Sequence, residues 1–111
     1  MIHELTPPSL QARLAGGARP RVVDVRETDE LTGELGHIAG VEHVPLATLP
    51  GACARWRPDE EVIVVCRSGG RSRKAATLLV ERGFRDVHDL SGGMLAWNAA
   101  RLPVTRGGAE R

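Results

Sequence analysis

The chain is poor in aromatic side chains: Trp56, Trp97 and Phe84 are all it has, and tyrosine is absent. Its formal charge is only +1 over 111 residues. Together these exclude the global footprint of a nucleic-acid binder, because the basic residues are local rather than spread along a stripe with interleaved aromatics. No apolar run reaches the roughly 18 residues that a spanning helix needs. The opening "MIHELTPPSL" lacks the charged flank and apolar stretch of a secretory signal, so a reducing, cytoplasmic setting is expected. Cysteine is scarce too. Cys53 and Cys66 are read as two thiols, since a lone pair is seldom structural in a reducing compartment. His3, His37, His43 and His88 are scattered, with no metal-ligand spacing and no C-x-x-C, so neither a metal nor another cofactor is expected. Neither nucleotide-binding glycine pattern, G-x-x-x-x-G-K-[ST] or G-x-G-x-x-G, occurs.

What remains is the composition of one ordinary globular domain, about two fifths apolar and a quarter charged. The domain is expected over 1–103, with 104–111 as a polar, mobile tail. "TPPSLQARLAGG" predicts a first helix, capped by Thr6, with Pro7 at its first position and Gly16 as its stop. "RVVDV" (21–25) reads as a short strand. A short acidic helical turn and a long irregular excursion to Pro45 follow, with another short helix at 47–56. "EVIVVC" (61–66) is a continuous β-branched run, as a central strand buried on both faces would be. An amphipathic helix with Gly83 just past its end comes next. A strand at 86–89 and a last helix closed by Pro103 complete the pattern. Strands alternating with helices indicate an α/β architecture with a mainly parallel sheet. In open sheets of that kind ligands bind at the carboxyl ends of strands, which is where Cys66 lies.

The segment after that strand, "CRSGGRSRK", carries the chemistry. A free thiol, with a pKa of about 8.5, is only slightly ionised at neutral pH, and the thiolate is the nucleophile. Loop amides converging on the sulfur, and the positive end of the following helix, would favour the anion. Gly69 and Gly70 let a loop curl its amides inward. Arg71, Arg73 and Lys74 occupy the first helical turn, where cations are disfavoured unless the site receives an anion. Cys66 is therefore the candidate nucleophile. Cys53, in "PGACARWRP", reads as a partly buried bystander, and "GGMLAW" as core packing.

"VVDVRE", "GHIAGV", "VVCRSGGRS" and "LSGGMLAW", in that order, resemble a single-domain rhodanese, a sulfurtransferase. The resemblance implies the rhodanese α/β fold, a central, largely parallel five-stranded sheet flanked by helices. It implies that Cys66 takes a sulfane sulfur as a persulfide. Arg67, Ser68, Gly69, Gly70 and Arg71 would complete the loop whose amides cradle that sulfur, Arg67 and Arg71 would attract an anionic donor such as thiosulfate, and Ser72 would begin the following helix. Asp24, Arg26, Gly36, His37 and Gly40 match elements that order the site. The segment "ETDELTGEL" is slightly longer than in the commonest members, which affects the rim. Related phosphatases separate cysteine and arginine by five residues, whereas Cys66 and Arg71 are separated by four, a loop sized for sulfur.

The implied activity is transfer of sulfane sulfur from thiosulfate or a low-molecular-weight persulfide to cyanide or a thiol. The alternative is a relay that passes sulfur between proteins. Expected partners are a small anionic donor and a thiol or protein acceptor, with no nucleic acid and no membrane. A monomer is expected, because no exposed apolar helix face stands out.

Overall fold

The computed structural model describes residues 1–107. Five strands form one parallel sheet in the order β1-β5-β4-β2-β3: β1 is Ile2–Leu5, β2 Arg21–Asp24, β3 Glu42–His43, β4 Glu61–Val65 and β5 Asp86–Leu90. Among the described residues, four helices lie between the strands, α1 Pro7–Ala15, α2 Thr28–Leu31, α3 Leu49–Cys53 and α4 Gly70–Glu81, and a fifth, α5 Gly93–Ala99, follows β5. A 3₁₀ turn at Leu46–Thr48 leads into α3, so the helix expected at 47–56 divides in two.

The continuous apolar run of β4 is explained by burial on both faces. Val62 and Val64 pack with Val23, Val87, Ala75, Ala76 and Leu79 under α3 and α4. Ile63 and Val65 pack with Leu10, Leu90, Met94 and Trp97 under α1 and α5. Alternate side chains of a strand point to opposite faces, so a strand sandwiched between helix layers cannot alternate apolar with polar. Both edge strands escaped the sequence reading. β1 lies ahead of the first helix, where the sequence predicts no element, and β3 lies within the stretch expected to be irregular. The helix expected to run to Pro103 ends at Ala99, where Arg101 adopts φ +60° and turns the chain away.

Within the tail expected at 104–111, the described residues contact the domain. Thr105 pairs antiparallel with His37, each amide donating to the other's carbonyl at 2.9 Å. Arg106 donates from Nε and Nη2 to the Glu34 carbonyl. Residues 104–107 are thereby tied to the loop after α2, and 108–111 lie outside the described residues.

Candidate active site

Cys66 follows β4 directly and is 1 % exposed. The loop after it turns into α4 at Gly69, whose φ of +127° is a conformation that side chains with a Cβ resist. That conformation aims the Gly69 amide at the sulfur, donating to Cys66 Sγ at 3.0 Å. The expected convergence of several amides is thus reduced to one at Sγ among the described residues. Ser72, in the first turn of α4, is a second polar neighbour of the sulfur. Its Oγ is 3.3 Å from Sγ, 3.2 Å from the Gly69 carbonyl and 2.6 Å from Asp89 Oδ1.

A sulfur anion at Cys66 would meet the Gly69 amide and the N-terminal end of a helix running to Glu81, both of which favour negative charge. The carbonyl oxygens at the start of the loop point the opposite way. Met94 N–H donates to the Cys66 carbonyl at 2.8 Å, and Leu95 N–H donates to the Arg67 carbonyl at 3.0 Å. Helix α5 therefore holds the first turn of the loop. Gly93 makes this approach feasible: its φ is +58°, and a Cβ there would lie 2.5 Å from the Cys66 carbonyl oxygen. "GGMLAW" has a structural role at the site as well as in the core.

The loop's two arginines differ in their surroundings. Arg67 is exposed and makes no side-chain hydrogen bond or ion pair among the described residues. Arg71 forks onto Glu30, donating from Nη1 and Nη2 at 2.7 and 2.9 Å. Glu30 is fixed in turn by the Glu27 amide, which donates to it at 2.9 Å in a capping box at the start of α2. The hydrogen bonds from Arg71 carry the Glu30 pKa from 4.5 to about 2, against a smaller opposing effect of burial. The same partner raises the Arg71 pKa. Arg71 is thus paired with a carboxylate of the same chain. Ser68 is exposed on the loop, and Gly70 is exposed at the first position of α4.

Behind the loop, Arg26 and Asp24 form a buried pair at 2.8 Å, 1 % and 0 % exposed. Arg26 also donates to the Gly36 carbonyl at 2.7 Å, and His37 Nδ1 bonds the Leu31 carbonyl at 2.8 Å. These residues fasten the excursion after β2 to the sheet and do not reach Sγ. An open cleft of about 400 Å³ adjoins the loop, lined by Glu30, Gly33, Glu34, Leu35, Arg67 and Leu95. Cys53 is buried in α3, its thiol directed at the Pro50 carbonyl.

The Rhodanese-like domain family matches residues 6–100. The chain belongs to that family. This rhodanese-like domain is 33 % identical to a sulfurtransferase of Allochromatium vinosum, covering 94 % of the chain and 95 % of the relative. It is 41 % identical to the thiosulfate sulfurtransferase GlpE of Pseudomonas fluorescens over 68 % of each chain. Among solved structures, a rhodanese-related protein of Thermoplasma volcanium superposes with a TM-score of 0.82 at 27 % identity, covering 95 % of this chain and 99 % of that one.

Three participants in the site were not legible beforehand. Asp89 stands among buried apolar neighbours of a central strand, and a carboxylate there needs a polar partner; that cost was its only signal. Glu30 could be suspected from its capping-box spacing to Glu27. Gly93 carried no signal beyond being one of two adjacent glycines.

Proposed function

We infer that this rhodanese-like domain is a sulfurtransferase that carries sulfane sulfur as a persulfide on Cys66. The observation that supports this most is the Gly69 amide bonded to a buried Sγ at the mouth of α4. In the first half-reaction the Cys66 thiolate attacks the outer sulfur of thiosulfate. The new S–S bond forms as the donor's S–S bond breaks, and sulfite leaves with the electron pair. In the second, cyanide or a thiolate attacks the outer sulfur and the Cys66 thiolate leaves. Such double displacement gives ping-pong kinetics. The Gly69 amide and the dipole of α4 stabilise the anionic sulfur without reorganising, as in an oxyanion hole.

Arg67, exposed on the loop and beside the cleft, draws the anionic donor; Arg71 shapes the loop through Glu30. Turnover belongs in a reducing, cytoplasmic compartment, where Cys66 and Cys53 stay thiols between cycles. Steady-state thiosulfate:cyanide assays test the assignment. Cys66→Ser is expected to abolish turnover with its thermal melt preserved. Arg67→Ala is expected to raise KM for thiosulfate several-fold more than for an uncharged sulfane-sulfur donor. A Cys66→Ser protein with normal turnover would refute the nucleophile. Equal losses on both donors would remove Arg67 from donor binding. A domain that accepts sulfur once yet turns over poorly on small molecules would fit the relay reading instead.

A further inference from the structure

Cys66, Ser72 and Asp89 form a chain that is one proton short of serving two anions. Ser72 has a single hydroxyl hydrogen, within reach of Sγ at 3.3 Å, the Gly69 carbonyl at 3.2 Å and Asp89 Oδ1 at 2.6 Å. When Asp89 is ionised that hydrogen is committed to the carboxylate, the shortest contact, and the Ser72 lone pair can only accept from a Cys66 S–H. When Asp89 is protonated it donates to Ser72, whose hydrogen is then free for a Cys66 thiolate. All three groups are buried, at 1 %, 0 % and 4 % exposure, where two neighbouring anions repel strongly.

We propose that Asp89 is a positioning residue that takes the Cys66 thiol proton through Ser72 and holds it while the sulfur is bound, so that this buried site carries one negative charge rather than two through the transfer. The proposal rests on Cys66 being the group that takes the sulfur. As the thiolate forms, the Cys66 S–H bond breaks and its proton passes to Ser72 Oγ. The Ser72 proton passes to Asp89 Oδ1, and no electrons leave the chain. Attack on thiosulfate then converts thiolate to anionic persulfide and releases sulfite, with Asp89 still protonated. When an acceptor removes the outer sulfur, the thiolate returns and the proton runs back.

The charged groups facing this chain are few. Arg73, on α4, lies 3.7 Å from Asp89 Oδ2 and favours its ionised form. Glu4, on β1 opposite Asp89, opposes it and is bound by Arg73 and Ser91. Burial pushes the Asp89 pKa up, the Ser72 hydrogen bond lowers it, Glu4 raises it and Arg73 lowers it, with a net rise. Val64 lies opposite Asp89 on β4. Near Cys66 stand Arg71 with its partner Glu30, and Asp24 on the neighbouring strand opposite Val65.

The test is the pH dependence of Cys66 alkylation by iodoacetamide, which needs no sulfur donor and so stays readable if sulfur transfer fails. Where one proton is shared, the reactive tautomer is a constant fraction of the protein. The wild-type rate should therefore rise in two steps separated by a plateau, the lower step following Asp89 ionisation. Asp89→Asn should lose the lower step and show one. Ser72→Ala should lose it as well, although Asp89 is present, because the hydroxyl that hydrogen-bonds both groups and stabilises the thiolate beside a protonated Asp89 is gone. A single-step wild type, an Asp89→Asn profile that keeps both steps, or a Ser72→Ala profile that keeps both would overturn the relay. If Asp89→Asn does not fold by circular dichroism, the wild-type and Ser72→Ala profiles decide alone.

Discussion

Glu30 joins α2 to the start of α4 by accepting both guanidinium hydrogen bonds of Arg71, and this pair accounts for a cationic residue at a helix N-terminus. The sequence reading took the cations at 71, 73 and 74 as a receptor for an anion. Two of the three already have internal anions, Glu30 for Arg71 and Glu4 for Arg73. Such pairs could not be read from local spacing because their partners lie far away in the chain. The depressed Glu30 pKa has a stability consequence with a definite sign. A carboxyl lowered from 4.5 to about 2 on folding stabilises the fold above 4.5 and loses that contribution as pH falls towards 2. The pair is partly solvated, so its worth is about 1 kcal/mol at most. Glu30→Gln is expected to lower the melting temperature modestly at neutral pH and to melt less pH-dependently than wild type between 4.5 and 2. Equal pH dependence in the two proteins, followed by circular dichroism, would show that the pair contributes nothing. The position of Cys66 was legible, because a cysteine at the end of a buried strand, followed by two glycines and a helix, is a local pattern. Asp89 was not, since its role depends on α4 packing over β5.

At the scale of elements, the parts read most directly were β4 and α4, where an uninterrupted apolar strand and an amphipathic helix each carry their own periodicity. The edge strands did not announce themselves. β1 pairs on one side only, and its central His3 and Glu4 are exposed, so no apolar run marks it. β3 is two residues long. Helix α5 was recognised as a helix but not as the support of the cysteine loop, since the bonds from Met94 and Leu95 to the loop carbonyls join distant segments. That support predicts a specific weakness. Gly93→Ala should both strain a left-handed residue and push the Cys66 carbonyl aside, costing about 1–3 kcal/mol and reducing sulfur transfer. Gly17→Ala is the control, because its φ of +97° is equally unfavourable while a Cβ there meets nothing within 4 Å. Thermal melts should fall in both variants, and transfer per folded molecule only in Gly93→Ala. Equal transfer in the two would contradict the anchoring role of α5.

For the molecule as a whole, parallel strands under helices on both faces bring the end of β4, the start of α4, the end of β5 and the start of α5 together at one edge. The α/β class followed from the alternation of elements, whereas the strand number came with the family resemblance, since only three strands had been read directly. That convergence gives Cys66 a donor amide, a helix dipole and a hydroxyl–carboxyl chain. The most direct test of sulfur carriage on Cys66 is intact-protein mass spectrometry without reductant, on wild type and Cys66→Ser after incubation with thiosulfate and then cyanide. A gain of one sulfur atom on wild type alone, discharged by cyanide, is the expected result. No gain on wild type with thiosulfate or with a persulfide donor, or an equal gain on Cys66→Ser, would contradict it.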